Sequence, residues 1–265
     1  MEIHQILSYF GALLIGLVLG LIGGGGSILT VPILVYLLLI NPITATAYSL
    51  FVVGVTSLVG AIKNIQKGLV DFKTAFSFAI PAVVSVFLTR LYLVPAIPNQ
   101  LFTIGDFTVT KNIAIMLFFA ILMLFSSISM IKSKSENNLD PQKKLSYISL
   151  VFQALTIGLI TGLVGAGGGF LIIPVLVLFA RLPIKKAIAT SLLIIAINSL
   201  IGFTGDIVNI DVDWPFLLIF TSISILGIFI GMYLSNFIEG RKLKKGFGWF
   251  VLIMGIYIIY KELTK

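Results

Sequence analysis

The chain has 265 residues, 58% hydrophobic and 11% charged, less than half the roughly 25% of charged residues that a soluble domain carries. Its formal net charge of +8 raises nucleic-acid binding, but the cations sit in short loops between apolar runs, where they report membrane orientation. Nucleic acid is therefore not expected as a partner, and without cysteine disulfides, Cys-ligated metals and thiol chemistry are excluded.

The opening Met1-Glu2-Ile3-His4-Gln5 lacks the positive n-region and cleavage site of a secretory signal, so the apolar run at 6–22 is read as a retained first helix. Runs at 28–40, 43–62, 72–94 and 111–131 complete a first half, residues 1–131. After a polar linker at 132–146, a second half at 147–265 has runs at 147–164, 170–180, 184–204, 214–238 and 246–261. The longer runs approach or reach the roughly 17–25 apolar residues that a bilayer core demands. The runs at 28–40 and 170–180 are too short to cross about 30 Å at 1.5 Å per residue. Each follows a glycine cluster, which predicts the second arm of a discontinuous or re-entrant helix.

The halves register without a gap at an offset of 142 residues. Gly16, Gly20, Gly23, Gly25, Gly26 and Pro32 fall on Gly158, Gly162, Gly165, Gly167, Gly168 and Pro174. The match continues through Ala45, Ala47, Ser49 and Leu50 onto Ala187, Ala189, Ser191 and Leu192, then Gly60 onto Gly202 and Asp71 onto Asp213. Such self-similarity marks a duplication.

Lys63, Lys67 and Lys73, then Lys132, Lys134, Lys143 and Lys144, then Arg181, Lys185 and Lys186, and finally Arg241, Lys242, Lys244 and Lys245 form four basic clusters between runs. Counting membrane-entering segments puts all four on one side, expected to be the cytoplasm, with the 132–146 linker. The acidic loop with Asp206, Asp211 and Asp213, the 95–110 loop and both termini then face out. Five segments per half, an odd number, predict opposite orientations. The expected fold is all-α: a polytopic integral membrane helix bundle of two inverted repeats, with glycine-broken or re-entrant helices.

Consecutive glycines cost about 1 kcal/mol each in a helix, and unwound backbone survives in a membrane only inside protein or against a water-filled cavity. Paired breaks in two inverted halves point to a transporter's binding site, and exposed N–H groups suit an anion. Gly24, Gly25, Gly26, Ser27, Gly167, Gly168 and Gly169 are thus candidate substrate-binding residues; close helix packing is the alternative, and is the expected role of Gly16, Gly20, Gly158 and Gly162. On the third and eighth segments Ser49, Thr56, Ser191 and Asn198 share a face of small and polar residues, with Thr190 beside it. They bind either the ligand or a neighbouring helix. Asn198 leads this set, because an amide both donates and accepts.

No carboxylate is evident deep in a span. Asp71 and Asp213 stand at helix starts, where capping is the ordinary role. Arg90 lies about 28 Å along its helix from Asp71, where snorkelling to the outer interface is expected and a place at the outer mouth is the alternative. On this reading no buried Lys or Arg serves the anion. The only histidine, His4, forms no ligand set. No P-loop, dinucleotide fingerprint or catalytic set can be assembled, so neither an enzyme nor a cofactor is expected. The expected partners are a small anion and the lipid bilayer of a cell membrane, the cytoplasmic or inner membrane of a prokaryote. A channel using the same breaks as a filter, or a membrane protein without transport, are the competing readings.

The run Gly-x-x-x-Gly-Leu-x-Gly-x-Gly-Gly-[Gly/Ser], with Pro five residues further on, occurs twice, each copy followed by Ala-x-Ala-x-Ser-Leu. Gly68-Leu69-Val70-Asp71-Phe72 is echoed by Asp211-Val212-Asp213-Trp214. This closely resembles the TauE/SafE, or sulfite exporter, family of permeases over nearly the whole chain. The resemblance implies transport of small sulfur-containing anions such as sulfite, thiosulfate, sulfoacetate or other sulfonates. The halves differ where Gly26-Ser27 meets Gly168-Gly169, and the segment with Arg90 lacks the Gly227-x-x-x-Gly231 of its partner.

Overall fold

The computed structural model describes residues 2–104, 107–132, 147–235, 237 and 240–264. Positions 133–146 of the predicted linker, with Lys134, Lys143 and Lys144, lie outside the described residues.

Among the described residues, ten helical segments occupy the ten predicted runs. Helix α1 (Glu2–Ile22) leads into α2, a composite arm of a 3-10 stretch (Gly23–Leu29), one α-turn (Thr30–Pro32) and a π-turn (Ile33–Leu37). Helix α3 (Pro42–Gln66) follows, then α4 (Phe72–Leu88), which continues through a π-turn (Thr89–Leu93) into Val94–Ala96. After α5 (Lys111–Ile131) come α6 (Tyr147–Val164), α7 (Gly169–Leu178), α8 (Ile184–Asp206), α9 (Trp214–Leu234) and α10 (Gly240–Leu263). The 95–110 loop holds a feature the sequence reading did not anticipate, an antiparallel hairpin of β1 (Gln100–Ile104) and β2 (Phe107–Thr110). Among the described residues, six helices are long and apolar enough to cross a membrane, and the arms Gly26–Leu37 and Gly169–Leu178 are shorter apolar helices.

Starts and stops follow local chemistry. Asp71 Oδ1 accepts the Thr74 N–H at 2.8 Å and Asp213 Oδ1 the Phe216 N–H at 3.1 Å, the expected caps. Pro95 offers no N–H, and its ring crowds the carbonyl four residues back. The chain widens just before it, Val94 N–H bonding Thr89 C=O in the π-turn. The inserted residue rotates the following helical face by about 100°.

Packing is reciprocal between the halves. The first helix of each packs on the fourth of the other, α1 on α9 and α6 on α4; α3 packs on α8, α5 on α10 and α2 on α7. A Cβ on Gly16 would collide with the Ser224 carbonyl, and one on Gly158 would come within 3.1 Å of Ala82 Cα; Ser224 and Ala82 are themselves 142 residues apart. These glycines let the backbones approach closely. Helices α3 and α8 run antiparallel. Gly60 faces Leu192 and Gly202 faces Leu50, while Gly54 faces Leu200 between them. In their apolar stretches these two are 72% and 67% buried, against 33–44% for the other four long helices. They form the core, and the rest turn apolar faces such as Ile80, Phe125, Phe152 and Ile253 outward, as lipid contact requires.

Candidate functional site

Both glycine clusters lie at the centre, against α3 and α8. The second is unwound. Gly165, Gly167 and Gly168 have φ of +73°, +65° and +68°, a region that costs other L-residues about 1–2 kcal/mol. Helix α6 closes with Gly165 N–H on the Thr161 carbonyl, and α7 opens with the Leu171 and Ile172 N–H groups on the Gly168 carbonyl. The first cluster is tighter: Gly23 alone of its described neighbours is left-handed, at φ +72°, and Gly24, Gly25, Gly26 and Ser27 continue as 3-10 helix.

The two breaks touch. A Cβ on Gly24 would sit 2.7 Å from Gly169 Cα, and one on Gly169 would overlap the Gly24 carbonyl. Gly167 faces Val53, Ile195 and Ser199 Oγ, which an added Cβ would approach to 3.0 Å. Gly26 instead packs on the backbone of Val18 and Leu19. Ser27 Oγ donates to the Gly24 carbonyl at 2.8 Å, and Gly168 packs on Thr161.

The helices against the junction, α3 and α8, carry buried polar atoms without protein partners: Ser49 Oγ, Thr56 Oγ1, Ser57 Oγ, Asn198 Oδ1 and Ser199 Oγ, the last against Gly167. Orphaned buried polar groups are rare in proteins and costly. Of the predicted residues, Ser49, Thr56 and Asn198 belong to this set; Ser57 and Ser199 were missed, although each is one position from a predicted residue. Ser191 is occupied, its Oγ donating to the Ile188 carbonyl at 2.8 Å. Thr190 Oγ1 accepts the Asp71 N–H at 3.0 Å, and its repeat mate Tyr48 does the same for Asp213 at 2.7 Å. That pair of bonds joins the halves.

The charged residues need correction. Arg90 is fully buried on the π-turn rather than snorkelling to the surface, and Asp206 is 3% exposed in the last turn of α8 rather than in an acidic loop. A carboxylate and a cation thus do lie within the bundle. Arg90 Nη1 is 3.1 Å from Asp206 Oδ2 and donates to Thr46 Oγ1 at 3.1 Å. Its Nε and Nη2 have no protein partner, and a Cβ on Gly165 would lie 2.6 Å from Nη2. The guanidinium therefore abuts the second break. One signal was available in the sequence: at the 142-residue offset Arg90, Asp206 and Thr46 fall on Met232, Asn64 and Ile188. The halves are alike in packing and unlike in charge at this place, as they also are at buried Lys111 and Glu262, which fall on Ile253 and Ala120. At the same end of α3, a cavity of about 490 Å³ is lined by Ser8, Leu38, Leu39, Ile40, Thr44, Tyr48, Asp213 and Phe216.

The family model described as sulfite exporter TauE/SafE matches residues 8–258. The chain belongs to that family. A "probable membrane transporter protein" of Xylella fastidiosa (strain Temecula1) is 30% identical over 257 residues, covering 94% of this chain and 92% of the relative. The "probable membrane transporter protein YunE" of Bacillus subtilis (strain 168) is 26% identical over 273 residues, covering 94% and 95%. No solved structure matches the chain. With its apolar helices, membership makes this TauE/SafE protein a multi-pass membrane transporter.

Proposed function

We propose that this TauE/SafE protein moves a small anion, of the sulfite, thiosulfate, sulfoacetate or organosulfonate class, by alternating access at the junction of the two glycine breaks. The observation that carries the reading is the contact of Gly24 with Gly169, with the unpartnered Ser199 Oγ against Gly167; helices α3 and α8 also carry the unpartnered polar atoms of Thr56, Ser57 and Asn198. Neutral donors and backbone amides at a helix break bind anions, and Arg90 beside Gly165 supplies the full positive charge. The reading of the chain as two inverted repeats, at 1–131 and 147–265, is supported by the antiparallel crossing of the equivalent helices α3 and α8 and by the reciprocal contacts of the other segments. Rocking of one repeat against the other would then expose the junction to each side in turn.

Flux of sulfite, thiosulfate and sulfoacetate into proteoliposomes tests the function. Saturable uptake accelerated by anion on the opposite side is expected. Uptake without such acceleration would indicate a channel, and absence of flux for every anion would reject the anion reading. Orientation is tested with single cysteines in this cysteine-free chain. Positions 132 and 185 are expected to be shielded from an impermeant reagent outside intact cells, and labelling there would overturn the topology.

A further inference from the structure

We propose that the Arg90–Asp206 pair couples anion transport to protons: the anion takes Asp206's place on Arg90, and Asp206 then binds a proton from solution. This rests on the anion reading above and adds the coupling ion. Arg90 is 0% exposed, holds Asp206 at 3.1 Å through Nη1, and keeps Nε and Nη2 without protein partners beside Gly165. A guanidinium offers five N–H donors in a fixed fork, and an oxyanion engaging the free edge competes with Asp206 for the same charge.

Charge balance supplies the direction. The pair is neutral as it stands. An added monoanion leaves one uncompensated negative charge in a buried site, which is costly. Protonation of Asp206 removes it, and a carboxylate that loses its cation binds protons more tightly. Arg90 itself stays protonated throughout. Asp211 and Asp213, in the loop after α8, are exposed, so among the described residues no other carboxylate is buried beside the pair. On the helices packed around the pair the remaining charges are Lys63 of α3, Lys73 of α4 and Lys185 and Lys186 of α8; α6 has none. Each lies about 25 Å or more along its helix from the cluster. Tyr48 is engaged with the Asp213 amide and Tyr92 is 65% exposed. The repeat supports function over packing. In the equivalent place, beside the first break, Met232, Asn64 and Ile188 fill the same positions without charge, so the duplicated packing does not require an ion pair there.

The test uses purified full-length protein and methanesulfonate, sulfoacetate and thiosulfate, none of which titrates between about pH 6 and pH 8. Proton uptake on binding is read by calorimetry in buffers of different ionisation heat. For methanesulfonate, the probe with a single charge, wild type is expected to take up close to one proton per anion, with affinity weakening up to tenfold per pH unit as pH rises. Asp206→Asn, neutral at every pH, should bind that anion at least as tightly at high pH, with no uptake and a flat profile. Binding by wild type without proton uptake, or unchanged uptake in Asp206→Asn, overturns the coupling and leaves the anion reading standing. No binding of any probe by wild type rejects both. The wild-type stoichiometry decides the matter even if Asp206→Asn fails to fold. In that event the double variant Arg90→Gln/Asp206→Asn, which removes both charges, is expected to fold and to bind none of the probes. Binding by the double variant at wild-type affinity would also overturn the proposal.

Discussion

Gly24 and Gly169 lie back to back: a methyl on Gly24 would come within 2.7 Å of Gly169 Cα, and one on Gly169 would overlap the Gly24 carbonyl. The two broken arms of the bundle therefore meet backbone to backbone, at a distance that only glycine on both sides permits.

Gly24→Ala and Gly169→Ala are expected to abolish flux, because backbone on the opposite arm would have to move. Overpacking of this kind costs about 1–3 kcal/mol, so the melting temperature should fall without loss of the folded protein. Gly167→Val adds a β-branched side chain at φ +65° and should be at least as harmful, as should Gly25→Val in the opposite arm. Gly246→Ala on α10 is the control, with nothing within 4 Å of the added methyl. It should leave flux unchanged and gain up to about 1 kcal/mol from helix propensity. Normal flux in Gly24→Ala and Gly169→Ala together would show that the contact is not needed for transport.

Thr190 and Tyr48 anchor the Asp71 and Asp213 amides across the repeat. Thr190→Val and Tyr48→Phe each remove one acceptor and leave a cap amide unpaired, at a cost of about 1 kcal/mol. Lower melting temperature with unchanged affinity is the expected result. An affinity loss in Thr190→Val with unchanged stability would instead return Thr190 to the ligand site.

The ten apolar runs, the two caps and the paired breaks were legible in sequence because hydropathy, capping and glycine conformation are local properties. Arg90 was misread because its burial depends on the π-turn ahead of Pro95 and on Asp206 arriving from α8. Position along an ideal helix carries neither fact. Asp206 was misread for a related reason: α8 runs to Asp206 itself, past the last apolar residue, so a residue that looks like loop in sequence lies inside the bundle. The hairpin at β1 and β2 gave little signal between strong helical runs. Ser57 and Ser199 were missed because a helix face read from spacing alone is blurred by about one position.

At the surface, the Asp71 carboxyl is held below the ordinary range, chiefly by accepting the Thr74 N–H and further by Lys186 and Lys73, while partial burial opposes the shift. A folded value below the unfolded one, about 3.9, means stability that is complete above the unfolded pKa and is lost as pH falls through the folded one. Melting temperature against pH should drop below about pH 4 in wild type. Asp71→Asn keeps a capping oxygen and should show a shallower drop. Identical profiles for the two proteins would remove Asp71 from the acid response.

Asn198 separates site from scaffold. Its Oδ1 is buried with no protein partner, next to Ser199, which faces Gly167. Removing an unpaired acceptor leaves no new orphan at Oδ1, so Asn198→Ala should change the melting temperature little. Hydrogen bonds involving a charged partner are worth about 1.5–3 kcal/mol, so if the amide donates to the bound anion its loss should weaken binding at least about tenfold. Methanesulfonate, sulfoacetate and thiosulfate affinity and thermal unfolding, measured together on this one variant, distinguish the two roles. A drop in stability at constant affinity would assign Asn198 to the α3–α8 packing, and the same pair of measurements on Thr56→Val would then show whether its repeat mate shares that role.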